Sequence, residues 1–383
     1  MWYICNTKCV ISVCGEGYVS PTGCGYVREM RKMHTRIVTI NEENIDVGII
    51  KEAGDIIKRG GLVAFPTETV YGLGGNALDP GASRKIYAAK GRPSDNPLIV
   101  HIYRMEDLYE VAADVSREAE KLAKMFWPGP LTMIFKKKDI VPKETTGGLD
   151  TVAVRMPDNR IAEEFIRASG GFIAAPSANL SGRPSPTSAK HVTEDMDGRI
   201  EMIIDGGSSV IGLESTIVDM TGAVPMILRP GYISGEMVRE ALGDVDYDPA
   251  VFGKQTEGLH PKAPGMKYRH YAPKGELTIV KGERDAVVGY MKEGLAKGIA
   301  QGKRVGIIAT DETIGNYNDA ALLMNMGTRE DEESIARHLY SVLRECDDKE
   351  IDIIYSEDFE TPRMGQAIMN RLIKAAGHNI VEV

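Results

Sequence analysis

The sequence predicts an α/β protein of two unequal parts: an N-terminal α+β domain on a mixed sheet, and a smaller, doubly wound C-terminal domain with a mostly parallel sheet. Three observations lead there. Up to Gly243, short apolar runs and amphipathic stretches follow one another in no regular strand–helix beat. From 244 to 275, Pro249, Pro261, Pro264 and Pro273 interrupt every period, as in a linker or lid. From 276 to 383, strand and helix patterns interleave as in a parallel sheet.

Residues 1–32 show no sustained pattern and hold Cys5, Cys9, Cys14 and Cys24 without a Cys-x-x-Cys pair. They read as an upstream extension or a misassigned start rather than a zinc site or a disulfide knot. The first domain therefore begins at residue 33. There, Ile45, Ile49, Ile50, Ala53, Ile56 and Ile57 share one helical face closed at Gly60–Gly61, where a left-handed cap is expected. Leu62–Phe65 is a buried strand, a helix around Ser83–Ala89 stops at Gly91, and Pro97–Ile102 is a strand. A helix over Ser116–Phe126 stops at the Pro-Gly-Pro of 128–130, and Leu131–Phe135 continues as a strand. Thr151–Met156 alternates with period two, and Asp158 is placed to cap a helix burying Ile161, Phe165 and Ile166. Strands near 172–175, 201–204, 215–219 and 225–229 and a helix over Ser234–Leu242 complete the first domain. In the second, strands at Leu277–Val280, Arg304–Ala309, Ala320–Met324 and Ile351–Tyr355 interleave with helices at 284–297, Ser334–Cys346 and Gly365–Ala376.

Composition narrows the function. The 383 residues carry a formal charge of -9, which argues against a general nucleic-acid binder relying on phosphate neutralisation. No apolar run approaches the ~20 residues of a membrane helix. Beyond residue 32 the chain holds one cysteine, Cys346, as suits a reducing cytoplasm. Gly72-Leu73-Gly74-Gly75-Asn76-Ala77 matches a dinucleotide fingerprint only weakly, because polar residues follow the preceding strand and the next helix is poorly patterned. There is no Walker loop. Asp244, Asp246 and Asp248 begin like a calcium loop, but Pro249 and Gln255 stand where Gly and Glu are required. The seven histidines form no metal-ligand pair, so no protein-held metal is expected.

Four polar clusters stand at the ends of apolar runs: 66–72, 90–98 leading to His101, 176–182, and Glu214–Thr216 with Leu228–Gly231. Lys90 and Arg92 suit a phosphate chain or a carboxylate, Arg as a planar fork and Lys as a point charge; equally, they are two exposed loop charges. Ser177, Asn179 and Ser181 suit phosphate oxygens or a ribose, or else a turn that satisfies its own backbone. Ser215 and Thr216 start a strand in the bland reading, and Arg229 is then a surface cation. Lys267-Tyr268-Arg269-His270-Tyr271 concentrates aromatics and cations inside the linker, which favours a lid over a bound nucleotide.

In this order the clusters resemble one family. Lys-x-Arg at 90–92, Ser-x-Asn at 177–179, Pro-Thr-Glu-Thr-Val-Tyr-Gly-Leu-Gly at 66–74 and Leu-Arg-Pro-Gly at 228–231 together look like the YrdC-type threonylcarbamoyl-AMP synthases. The linker run and the trailing α/β domain match that family's long, two-domain form. The resemblance spans about residues 35–383.

The resemblance implies a YrdC-like twisted mixed sheet with a concave, positive cleft, and a Rossmann-like second domain without a dinucleotide site. It implies a cytoplasmic nucleotidyltransferase that makes threonylcarbamoyl-AMP and pyrophosphate from L-threonine, bicarbonate and ATP with Mg2+. A separate threonylcarbamoyl transferase would then modify tRNA, with at most a weak tRNA contact by this chain. Lys90 and Arg92 would be catalytic and, with Asn96, Ser177, Asn179, Ser215, Arg229, Tyr268, His270 and Tyr271, would bind ATP. Thr67, Tyr71, His101, Thr132, Arg155 and Ser181 would surround threonine and its carbamate. The competing readings are an RNA-binding module, a carbamoyl transferase lacking its usual extra modules, and a Rossmann oxidoreductase.

Overall fold

The computed structural model describes residues 34–252, 263 and 271–383, together with an antiparallel strand pair, β1 (Tyr3–Ile4) and β2 (Val10–Ile11). That pair belongs to a separate unit, Met1–Lys32, whereas Met33–Val383 forms one compact body. Except for that pair, residues 1–32 lie outside the described residues.

The compact body opens with β3 (Arg36–Thr39) and α1 (Val47–Lys58). Asp46 caps α1 by accepting from Gly48 and Ile49, and Gly60 at φ +74° turns the chain out of it. Next come β4 (Val63–Phe65), β5 (Gly72–Asn76) and α2 (Pro80–Lys90), the last with proline in its first turn and Gly91 at its left-handed cap. The fingerprint-like glycines thus form a central strand. A Cβ on Gly74 would come within 3.0 Å of Ile173, so these glycines let neighbouring backbones and side chains close up.

β6 (Ile99–His101), α3 (Glu106–Val111), β7 (Ala112–Ala113), α4 (Arg117–Phe126), β8 (Leu131–Lys137) and β9 (Thr151–Arg155) follow. The cap of α5 (Arg160–Ala168) is Asn159, which accepts from Ala162 at 2.9 Å, and not Asp158 as the sequence suggested. Both residue types make good caps; the chain turns one residue later. β10 (Ile173–Ala175), α6 (Ala189–Met196), β11 (Met202–Asp205), β12 (Thr216–Asp219), β13 (Met226–Arg229), α7 (Gly235–Leu242) and β14 (Asp246–Tyr247) complete this region.

Its strands join in the order β14-β13-β12-β8-β9-β6-β10-β5-β4-β11-β3, with β7 on β8. Parallel and antiparallel pairs mix: β6–β9 is parallel and β8–β9 antiparallel. Alternate residues feed two cores. Ala64, Ala174 and Ile203 face one, while Val63, Phe65, Ile173 and Ile204 face the other with α1 and α5.

The C-terminal region comprises β15 (Glu276–Lys281), α8 (Arg284–Ala300), β16 (Val305–Ala309), β17 (Leu322–Asn325), α9 (Glu332–Asp348), β18 (Ile353–Glu357), α10 (Gly365–Ala375) and β19 (Ile380–Glu382). Its sheet is wholly parallel, in the order β17-β16-β18-β15-β19. Val287, Met291 and Leu295 of α8 pack on one face, and α9 and α10 pack on the other. That second core also takes in Val70, Leu213 and Tyr271, so α9 and α10 seal against the first region.

Candidate active site

The four polar clusters meet at one cleft of about 710 Å³. It brings together Thr67, Tyr71, Lys90, Arg92, His101, Arg155, Ser177, Asn179, Ser181, Ser215, Arg229 and Tyr271. Thr132 stands just behind, its hydroxyl 2.7 Å from that of Ser215. Asn96 is buried behind Arg92 and does not line the cleft; its carbonyl accepts from Arg92 Nε at 3.3 Å. Tyr268 and His270 lie outside the described residues.

Lys90 and Arg92 are 2% and 9% exposed, which removes the reading of two solvated loop charges. Lys90, the last residue of α2, donates to the carbonyls of Ser177 and Asn179 at 2.5 Å each and to Asn179 Oδ1 at 3.3 Å. The ammonium thereby shapes the 177–179 turn. Burial, reinforced by the Arg92 charge, holds its pKa well below the ordinary lysine value. Arg92 is anchored on the Asn96 and Pro97 carbonyls through Nε and Nη2, leaving Nη1 without a hydrogen-bond partner among the described residues. Burial lowers its pKa to about 10. It is the side chain here best placed to receive an incoming anion.

The 177–181 turn does satisfy itself. Ser177 donates to Asn179 Oδ1 at 2.5 Å, and Asn179 Nδ2 donates to the Leu180 and Arg183 carbonyls. Ser181 has its backbone N–H tied to Lys90 O at 2.9 Å. Across the cleft, Arg229 grips the Ser215 carbonyl through Nε at 3.1 Å and Nη2 at 3.0 Å.

Some expected ligands of substrate are committed to the fold by their polar atoms. The Thr67 hydroxyl donates to the Val70 carbonyl at 2.6 Å, and the Tyr71 hydroxyl donates to Gly207 O at 2.5 Å while accepting from Gly206 N–H. His101 holds Nδ1 3.1 Å from the Ile99 carbonyl; burial, with Arg155 nearby, drives its pKa down to about 3, so the ring is neutral. Arg155 forms an ion pair with Glu68 at 2.7 Å, outside hydrogen-bond angles. Four cationic side chains thus face one carboxylate, Glu214, among the cleft residues.

Ser185 is a cleft residue that sequence reasoning missed, and Glu214, named in the fourth cluster, was given no role there. Glu214 accepts from Ser185 Oγ at 2.6 Å, from Tyr340 OH at 2.7 Å and from Arg371 Nε at 3.2 Å. Against its burial, the charges of Arg371 and then Arg229 hold its pKa down at about 2. Arg371 is fully buried and also donates to the Pro230 carbonyl, beside Arg229. Arg344 of α9 reaches the Pro184 carbonyl at 2.6 Å and Asp195 at 2.8 Å. Tyr271, at φ +65°, stacks on Tyr340 with centroids 5.1 Å apart. The C-terminal region therefore fixes two walls of the cleft, and its hydrogen bonds to Glu214, Pro184 and Asp195 span more than a hundred residues, where no local pattern reveals them.

No group of three or more metal-ligating side chains occurs among the described residues, and both oxygens of Glu214 are already taken.

Comparison with known proteins supplies the rest. Residues 55–231 match the Sua5/YciO/YrdC family model, described as "Telomere recombination", and residues 233–377 match "Threonylcarbamoyl-AMP synthase, C-terminal domain". A threonylcarbamoyl-AMP synthase of Pyrococcus abyssi is 50% identical, covering 91% of this chain and 100% of the relative. The chain belongs to the threonylcarbamoyl-AMP synthase family. It is accordingly a nucleotidyl-transferring enzyme. The Bacillus subtilis threonylcarbamoyl-AMP synthase is 45% identical over 87% of this chain and 94% of its own length. The crystal structure of P. abyssi Sua5 complexed with L-threonine superposes with a TM-score of 0.86 at 49% identity, covering 91% of this chain and 100% of that one. The YrdC-like domain with a second α/β domain is thus the fold expected from the sequence. Among the described residues, no helix is long and apolar enough to cross a membrane.

Proposed function

We propose that this synthase captures L-threonine as a carbamate and adenylates it. The threonine amine takes up CO2, or bicarbonate with loss of water. A carbamate oxygen then attacks the α-phosphorus of ATP, and the bond to the β-phosphate oxygen breaks. Threonylcarbamoyl-AMP and pyrophosphate are the products. The intermediate would pass to a separate transferase acting on tRNA in the cytoplasm, with at most a weak tRNA contact here.

One observation carries this reading: Lys90, Arg92, Arg155 and Arg229 converge on one cleft in a chain half identical to a synthase of this name. Two anions must approach each other for the reaction, and fixed cations in a sheltered site offset their repulsion and the charge that builds on the transferring phosphoryl group. In this scheme Arg92, with a free Nη1, meets the triphosphate. Lys90 holds the Ser177–Asn179 turn against it and adds its charge. Arg229 and Ser215 form the facing wall, and Arg155 and neutral His101 line the end that receives threonine and its carbamate. Mg2+ comes and leaves with the phosphates as part of the substrate. Beyond β14, the linker up to 275 acts as a lid over a water-labile mixed anhydride, with Tyr271 its described anchor and Tyr268 and His270 its proposed covering residues.

Arg92→Ala tests the assignment. Titration with ATP in the presence of L-threonine should show affinity weakened about tenfold or more, as for loss of a charge-assisted hydrogen bond, with the thermal midpoint little changed. Unaltered affinity in folded Arg92→Ala protein would remove Arg92 from the nucleotide site.

A further inference from the structure

A second cavity, of about 510 Å³, shares no lining residue with the cleft and lies at the carboxyl ends of the parallel strands of the C-terminal sheet. Gly282 follows β15, Thr313 follows β16, Arg329 follows β17, and Glu357 closes β18. Arg284 and Val287 come from the first turns of α8. In open α/β sheets this rim, beside a helix N-terminus, is where ligands dock. Position alone assigns nothing.

Glu357 supplies the independent sign. Its side chain is 1% exposed, and Oε2 accepts from Arg329 Nη2 at 2.9 Å and from Thr310 Oγ1 at 3.4 Å. Its other oxygen, Oε1, is buried with no hydrogen-bond partner among the described residues. A buried carboxylate oxygen without a donor is costly, and a donor entering this cavity would relieve it. The remainder of the lining specifies the other end of such a ligand. Arg284 and Arg329 balance Glu357 and Asp358, and Glu283 makes no capping bond to the start of α8, which leaves its first N–H groups for an anion. Val287 is the one sizeable apolar side chain in the lining, too little surface for a nucleobase to stack on.

We infer that this rim is a binding site for a small zwitterion of the α-amino-acid class, with its ammonium on Glu357 Oε1 and its carboxylate toward Arg284 and the start of α8. The loop bearing Arg329 runs directly into α9, the helix that carries Tyr340 and Arg344 to the cleft wall. An occupant would therefore press on the element that braces the active site.

Hydrogen–deuterium exchange on the full chain, with the standard L-amino acids offered singly and inorganic phosphate as a separate arm, tests this. At least one amino acid should slow exchange around 282–287 and 357–358. Glu357→Gln and Arg284→Ala should each weaken that protection about tenfold or more, as expected for hydrogen bonds to charged groups. Pyrophosphate release should be unchanged in both variants. Arg284 is exposed, so its variant keeps the test valid should Glu357→Gln fail to fold. The inference falls if no amino acid protects these segments, or if phosphate protects equally and both variants leave the protection intact. L-Threonine bound in the cleft also bears on α9, so protection by that amino acid counts for this site only where Glu357→Gln or Arg284→Ala weakens it while turnover stays intact.

Discussion

His101 shows how burial sets chemistry in this cleft. It stands edge-on to Phe65, with ring centroids 6.0 Å apart, and its pKa falls from 6.5 to about 3, chiefly by desolvation. Between those values the unfolded chain binds a proton that the native protein does not, so stability is full above pH 6.5 and drains as pH falls toward 3. Glu214 adds to the same acid limb from 4.5 downward, since its depressed pKa also favours the unfolded form once protons are taken up. His101→Gln should therefore flatten the fall in thermal midpoint between pH 6.5 and 4.5, a window worth a few kcal/mol in the native protein. An unchanged slope would place the ring in solvent. At this scale much was legible: Lys90, Arg92, Ser177 and Arg229 each end an apolar run, which is where a strand or helix delivers a side chain to a rim. What Tyr71 does with its hydroxyl was not, because Gly206 and Gly207, which engage it, arrive from a distant loop.

Helices and strands were read from caps and period, and most stand within a residue or two of expectation. α2 ends at Gly91 because that glycine adopts φ +61°, and α1 begins where Asp46 can accept. The strand β5 escaped because glycines carry no alternation to read; its logic lies in Phe65 and Ile173 across the sheet. The clamp from α9 and α10 is likewise invisible in sequence. Glu214 meets Tyr340 across 126 positions and Arg371 across 157. Arg371→Met leaves Glu214 a buried charge without its main cation, which should cost about 3–5 kcal/mol in denaturant unfolding. Tyr340→Phe removes one hydroxyl and should cost about 1–3 kcal/mol, with a larger loss in pyrophosphate release than in substrate-free stability. Wild-type turnover in folded Tyr340→Phe protein would show that the clamp does not set the cleft.

At the scale of the whole molecule, the two regions behave as one enzyme. Val70 and Leu213 of the first share a core with α9 and α10, and a Cβ on Gly212 would meet Arg337 Cα at 2.5 Å. Deleting 276–383 would bare that apolar face and strip Glu214 of Tyr340 and Arg371, so the truncated chain should aggregate or lose turnover by orders of magnitude. Full turnover and an unaltered intermediate lifetime in a monomeric truncation would contradict this. The division into a mixed-sheet part and a parallel part was legible because a βαβ beat leaves an interleaved pattern; their close sealing was not, since it rests on a few buried arginines and tyrosines. The reaction itself is read by pyrophosphate release from the full chain with ATP and Mg2+, omitting L-threonine or bicarbonate in turn. Release should occur only when both are present; release that needs neither, or none at all from folded protein, would mean that the chain does not adenylate a threonine carbamate.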